Sequence, residues 1–199
     1  MNTLTLTSSD FNSNGTYIGK TDLSNFDGNL IIEASYARFP KCVIVTGFIE
    51  AGYSIKAGDS IKAGDCIQAD GFIETDGSIK AGGSIQTGGC IKAAGSIQAG
   101  SSIKAAGSIQ AGEYIDAGSS IQAGLYITCK ELSAILRIFA GLCLWKIPDE
   151  SETLITCEKL IIGTVSYGRL NIVEAKKETP SCAGKVVEID GKKYKLVEA

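Results

Sequence analysis

The chain has 199 residues, 44% of them hydrophobic, with a formal net charge of −3, seven cysteines and no histidine at all. That charge is far from the basic balance of a nucleic-acid binder, so direct nucleic-acid binding is disfavoured. The missing imidazole removes Ser-His-Asp and Cys-His catalysis and every histidine metal ligand. Nothing reads as a signal peptide or a membrane span, which leads us to expect reduced thiols and a cytoplasmic setting in a bacterial host cell.

Residues 1–46 read as irregular first coils and a cap. Leu4-Thr5-Leu6-Thr7 alternates like a strand, and Asn14-Gly15 marks a tight turn. Asn29–Ile32 and Cys42–Val45 are further short apolar strands. Gly15-Thr16-Tyr17-Ile18-Gly19-Lys20-Thr21 looks like a phosphate-binding loop but has three residues between its glycines where the motif needs four, so it reads as a turn. Asn14-Gly15-Thr16 also matches a glycosylation sequon, which has no bearing without secretion.

From residue 47 to 129 isoleucine falls at every sixth position, fourteen times from Ile49 to Ile127, in hexads such as Ser78-Ile79-Lys80-Ala81-Gly82-Gly83. A period of six fits a coil of short strands and corners. Alternation turns Ile and the following Ala inward and sends Ser and Lys/Gln to solvent. Glycine is expected at the corners for its positive φ. Twelve residues per coil would stack Lys80 on Lys92, whereas eighteen stacks Lys80 on Gln98 and Gln86 on Lys104, which separates like charges. The prediction is an all-β, three-sided, single-stranded β-helix, with a little under five coils from the tract alone.

Four hexads carry a ring before the Ile: Phe48, Phe72, Tyr114 and Tyr126. Such rings can seal the prism, or, in the case of Tyr114 and Tyr126 together with Tyr53, mark a binding patch. Asp59, Asp65, Asp70 and Asp76 sit at corners and read as solvated turn residues rather than calcium ligands. Cys66 and Cys90 stand in for the hexad serine.

Residues 130–173 read as irregular terminal coils. Ile138 and Leu144 are expected to regain the spacing of six, with Leu136, Phe139 and Trp145 filling a wider core. Ile127-Thr128-Cys129-Lys130-Glu131-Leu132 recurs as Ile155-Thr156-Cys157-Glu158-Lys159-Leu160 with its charges swapped. Residues 148–152 read as a protruding loop, and strands are expected over 154–162 and 165–172. A polar linker at 174–184 leads to a hairpin at 185–199, turning at Asp190-Gly191 and setting Val187 opposite Tyr194. An isolated hairpin is marginal in water, so it should dock somewhere.

Three-sided hexad coils resemble those of acyltransferases and γ-class carbonic anhydrases, but both resemblances imply histidines that this chain lacks. Ice binding would want ranks of outward Thr. The stretch Leu136-Arg137-Ile138-Phe139-Ala140-Gly141, Trp145, Ile155-Thr156-Cys157 and Tyr167-Gly168 resembles phage and mobile-element solenoid proteins, some associated with anti-CRISPR activity. That resemblance implies a non-enzymatic inhibitor without cofactor or metal, binding a bacterial defence protein such as a Cas effector subunit. The expected protein-binding residues are Tyr114, Tyr126, Trp145, Asp149, Glu150, Glu152 and Tyr194, with a homodimer through the hairpin or the coil ends as a further expectation. The alternative is a self-assembling scaffold similar to the bactofilins.

Overall fold

Each isoleucine of the tract lies directly over the one eighteen residues earlier. The structure, a computed structural model, describes residues 2–174 and the strands Val186–Ile189 and Lys192–Lys195. Parallel pairing runs Ile49, Ile67, Ile85, Ile103, Ile121 up one wall. A second wall carries Ile55, Ile73, Ile91, Ile109, Ile127, and a third Ile61, Ile79, Ile97, Ile115. All fourteen isoleucines are buried, at 0–1% exposure. The fold is therefore the expected three-sided β-solenoid with eighteen residues per coil. It reaches beyond the tract: the Ile55 wall has eight strands, which at one strand spacing per coil is about 34 Å of column.

The three walls form two hydrogen-bonded sheets, because the strand Glu131–Phe139 rounds a corner. Its first half pairs with Tyr114–Ala117 and its second half with Ile121–Ala123. The near-repeat of the sequence is a repeat in space. Ile127 pairs with Ile155 and Thr128 with Thr156, and Glu131 sits opposite Lys159, so the swapped charges face each other on neighbouring coils. The coil between these partners is longer than eighteen residues because it carries the 142–153 loop.

Two roles differ from the sequence reading. Tract glycines do not adopt positive φ; among the described residues only Gly15, Gly28, Gly141, Gly163 and Gly168 do. Corner glycines are required by closeness instead. A Cβ on Gly82 or Gly100 would come within 2.1 Å of the carbonyl oxygen of the glycine one coil below, Gly64 or Gly82. The hexad serines also do not simply face solvent. Ser96 N–H donates to Ser78 Oγ (3.0 Å), Ser78 N–H to Ser60 Oγ (3.1 Å) and Phe72 N–H to Ser54 Oγ (3.1 Å), so each serine ties its coil to the next. Cys66 and Cys90 take the same place, accepting from Ser84 and Ser108 N–H at 3.4 Å.

Outward charges follow the predicted alternation from Lys80 onward, Lys80 lying beside Gln98 and Gln86 beside Lys104. Two like-charge neighbours break it, Lys62 beside Lys80 and Arg38 beside Lys56. Lys56 is offset on its other side by Glu74, with Nζ and Oε1 3.0 Å apart.

The N-terminal core is closed by a cap, although Asn2–Leu6, the first strand of the Ile49 wall, has no described partner on its outer edge. Phe11, Tyr17 and Phe39 form a cluster with ring centroids 5.5–5.8 Å apart. The cap also pairs with the first strands of two walls: Arg38 N–H donates to Gly15 O (2.8 Å) and Ile44 N–H to Leu23 O (2.7 Å). Asn14-Gly15 lies in the expected turn, with Gly15 at φ 71°. The hairpin has the predicted register, Val187 opposite Tyr194 and Ile189 opposite Lys192. Its Asp190-Gly191 turn, the linker beyond Glu174 and the Tyr194 side chain lie outside what is described.

Two substitutions test the ladder through denaturant midpoints. Ile91→Ala should cost about 2–5 kcal/mol, the range for a truncated core aliphatic. Gly100→Val should cost about 1–3 kcal/mol, because its side chain must displace backbone rather than a flexible tip.

Candidate functional site

Chemistry-bearing side chains are spread thinly over the walls, while large apolar ones crowd one end. Along the tract the outward strand positions are Lys, Gln, Glu or Asp until Thr128. From residue 131 onward they change: Ile135 is 65% exposed, and Leu136, Ile161, Ile162 and Tyr167 are also open to solvent. Ile135 and Leu136 lie where Glu131–Phe139 turns its corner. Ile161 and Ile162 lie one coil later but before the turn, across from Leu132 and Ser133, where Ile161 is an extra residue that shifts the register; a second shift, between Ser133 and Arg137, falls at the corner itself. Gly163, at φ 126°, takes up that irregularity.

The last coil exposes the top of the core itself. Leu170 pairs with the fully buried Ile155 and Ile172 with the fully buried Cys157, so both occupy inward rungs, yet they are 38% and 51% exposed. No described strand lies over them. Beside them, between the Ile49 and Ile55 walls, projects the 142–153 loop, ending in a 3-10 turn over Glu150–Thr153.

That loop corrects the sequence reading of the terminal core. Leu144 does not regain the ladder but is 98% exposed. Leu136 and Trp145 point outward as well, and Phe139 is half-buried on the outer face, so the terminal core is not widened by them. Strands cover Leu154–Cys157, Lys159–Tyr167 and Arg169–Ile172 rather than the two stretches expected, 154–162 and 165–172.

The predicted binding residues do not all meet. Trp145, Asp149 and Glu150 are exposed on the loop, and Tyr126 starts the wall below that corner. Tyr126 is half-buried, its hydroxyl accepting from Gln110 Nε2 at 2.8 Å. Glu152 is engaged within the loop: it pairs with Lys146 and accepts from Asp149 N–H at 3.0 Å. The Lys146 ammonium, and then that backbone donor, hold its carboxyl below the usual range. Tyr114 stands on a different corner, beside a shallow depression of about 330 Å³ shared with Glu131, Ser133 and Ile161. Ile135, Leu136, Ile161 and Ile162 escaped the sequence reading, although a run such as Leu160-Ile161-Ile162 cannot turn every side chain inward from a strand.

Other candidates are weaker. A depression of about 350 Å³ at the N-terminal end is lined by Lys20, Thr21, Asp22 and Lys41. The stretch that looked like a phosphate loop lies there in irregular cap backbone, with no helix following it. Among the described residues, no group of His, Cys, Asp and Glu could hold a metal. No helix among the described residues is long and apolar enough to cross a membrane. Six described cysteines are free, and burial pushes the Cys129 thiol up to about 12, with Cys157 raised for the same reason.

Among known families, the one described as FapA, the Flagellar Assembly Protein A beta solenoid domain, matches residues 25–177. That span runs from within the cap to just past the last wall strand. Neither a curated protein nor a solved structure matches the chain.

The buried thiols carry a measurable consequence. Because Cys129 is held neutral in the fold, its stabilisation is complete below pH 9 and is lost as pH rises towards 12. Urea midpoints should fall across that window in the native chain, and less so in Cys129→Ala. In native buffer at pH 7.5, N-ethylmaleimide should label Cys129 and Cys157 only after denaturation, as mass spectrometry would read.

Proposed function

The chain belongs to the Flagellar Assembly Protein A β-solenoid family, and from that premise we propose that it is a structural scaffold: a rigid, non-enzymatic column that offers fixed protein-binding surface at its C-terminal end. The observation that carries this reading is the uneven surface. Polar side chains cover the repeat walls, whereas Ile135, Leu136, Trp145, Ile161, Ile162 and Ile172 cluster about one end. Exposed apolar surface gathered in one place marks association. A column built on a stacked ladder meets its partner already ordered, so little entropy is lost on binding.

The name of the family speaks of flagellar assembly, and an analogous part here is in the building of a larger protein structure. Support for a role without catalysis comes from composition and burial: no imidazole is present, the most buried thiols are held neutral, and the wall carboxylates and lysines stand singly or in isolated pairs such as Lys56 with Glu74. The narrower reading, inhibition of a bacterial defence complex such as a Cas effector subunit, rests on the resemblance of residues 136–168 alone. The family match speaks for the scaffold.

Site-specific photocrosslinking in cells tests the proposal. A benzophenone amino acid at Trp145 or Ile161 should give one defined adduct, to another copy or to another protein, while the same probe at Gln86 on a repeat wall should give none. Absence of any adduct from the end positions, or a purified chain that turns over a substrate, would remove the scaffold reading.

A further inference from the structure

The two ends of the column are finished differently. At the N-terminal end the first strands of the Ile55 and Ile61 walls are hydrogen-bonded to the cap, through Arg38 with Gly15 and Tyr17 and through Ile44 with Leu23 and Phe26. The core there is closed: Leu6, Leu23, Phe11 and Phe39 are all buried. At the C-terminal end, Lys159–Tyr167 and Arg169–Ile172 have no described strand on their outer edges, and the inward Leu170 and Ile172 are open. Bare strand edges over an open core recruit another strand unless something blunts them.

We propose that the C-terminal end of the column docks on the C-terminal end of a second copy, across a two-fold axis, to give a closed dimer. This rests on the scaffold reading and names the partner of its end surface. Three observations select a second copy. The edge is balanced in charge: the last coil from 158 to 174 carries Glu158, Lys159, Arg169 and Glu174, two acids and two bases, so two such edges meet without net repulsion and a two-fold axis can set acid against base. Its geometry is that of a missing next coil, with pairing carried on as far as Val173 N–H donating to Cys157 O at 2.9 Å. The hairpin strands Val186–Ile189 and Lys192–Lys195 form a sheet of their own, not joined to the terminal coil. The cap over the N-terminal core and over the first strands of the Ile55 and Ile61 walls then favours one kind of assembly. A two-fold contact uses the same patch on both copies and closes on itself, whereas head-to-tail stacking would have to break the cap.

Sedimentation velocity and hydrogen exchange on the full chain test the proposal. A dimer should form at micromolar concentration, and amides of 159–172 should become more protected as concentration rises. Ile172→Asp should weaken dimerisation at least about tenfold. Tyr167→Lys, on an outward site where folding is not at stake, should weaken it too, with an unchanged melting curve. Ile18→Asp, at the opposite end, should leave it intact. Filaments would overturn the proposal, because both ends would then pair. So would a monomer, whether its terminal amides are protected at every concentration, meaning that the chain's own residues 175–199 cover the end, or are never protected. A monomer that still yields a photoadduct with a different protein would leave the scaffold reading standing and remove only this one.

Discussion

Vertical registry between coils is the constraint on which the rest of the structure depends. One hexad buries one isoleucine and one alanine, too little to fold alone. Stacked at eighteen residues, each Ile is enclosed by those above and below, and each strand satisfies its backbone groups on both sides. Every other sequence preference in the tract serves this spacing. Alanine keeps the core narrow, the corner glycines let one coil approach the next, and serine or cysteine accepts a hydrogen bond from a backbone N–H of the coil above. The two threonines that replace alanine, Thr75 and Thr87, are buried but partnered: Gly77 and Gly89 N–H donate to them at 3.2 Å.

Where the registry relaxes, the surface changes character. Between residues 131 and 172 the coils lengthen, strands round corners and the pairing slips, and aliphatic side chains that would be rungs in a strict hexad turn outward. The irregular part of the column is thus also its adhesive part. A perfect repeat can only present the same polar pattern again and again, so distinctive surface has to come from the coils that depart from it.

The column was legible in the sequence because period, chemistry and charge agreed. The spacing of isoleucine set the hexad, and the Lys/Gln alternation chose three sides over two. The recurrence of the motif at 127–132 and 155–160 was visible as a near-repeat, and its meaning as pairing on adjacent coils came from the structure. What escaped was set by neighbours rather than by local pattern. Corner glycine looked like a demand for positive φ, but the carbonyl of the coil below imposes it, and a distance across eighteen residues does not show in a hexad. Serine looked solvated because its acceptor role needs the next coil in place. Leu144 and Trp145 looked like core by composition, yet they sit in an insertion that leaves the ladder. Of the predicted surface, the exposed loop residues and Tyr114 were readable as bulky or charged departures from the repeat. Ile135 and Ile161 were not, because aliphatic residues in a strand are taken for core until the corner at Ile135 and the register shift at Ile161 are seen.

One consequence follows from the way each hexad advances the chain by a single wall. Gaining or losing three hexads would change the column by a whole storey and leave both ends facing as before. Gaining or losing one would swing the 142–153 loop and the aliphatic corner a third of a turn relative to the cap. Repeat number therefore acts as a dial as well as a ruler, setting the azimuth of one end against the other while the interior chemistry stays the same.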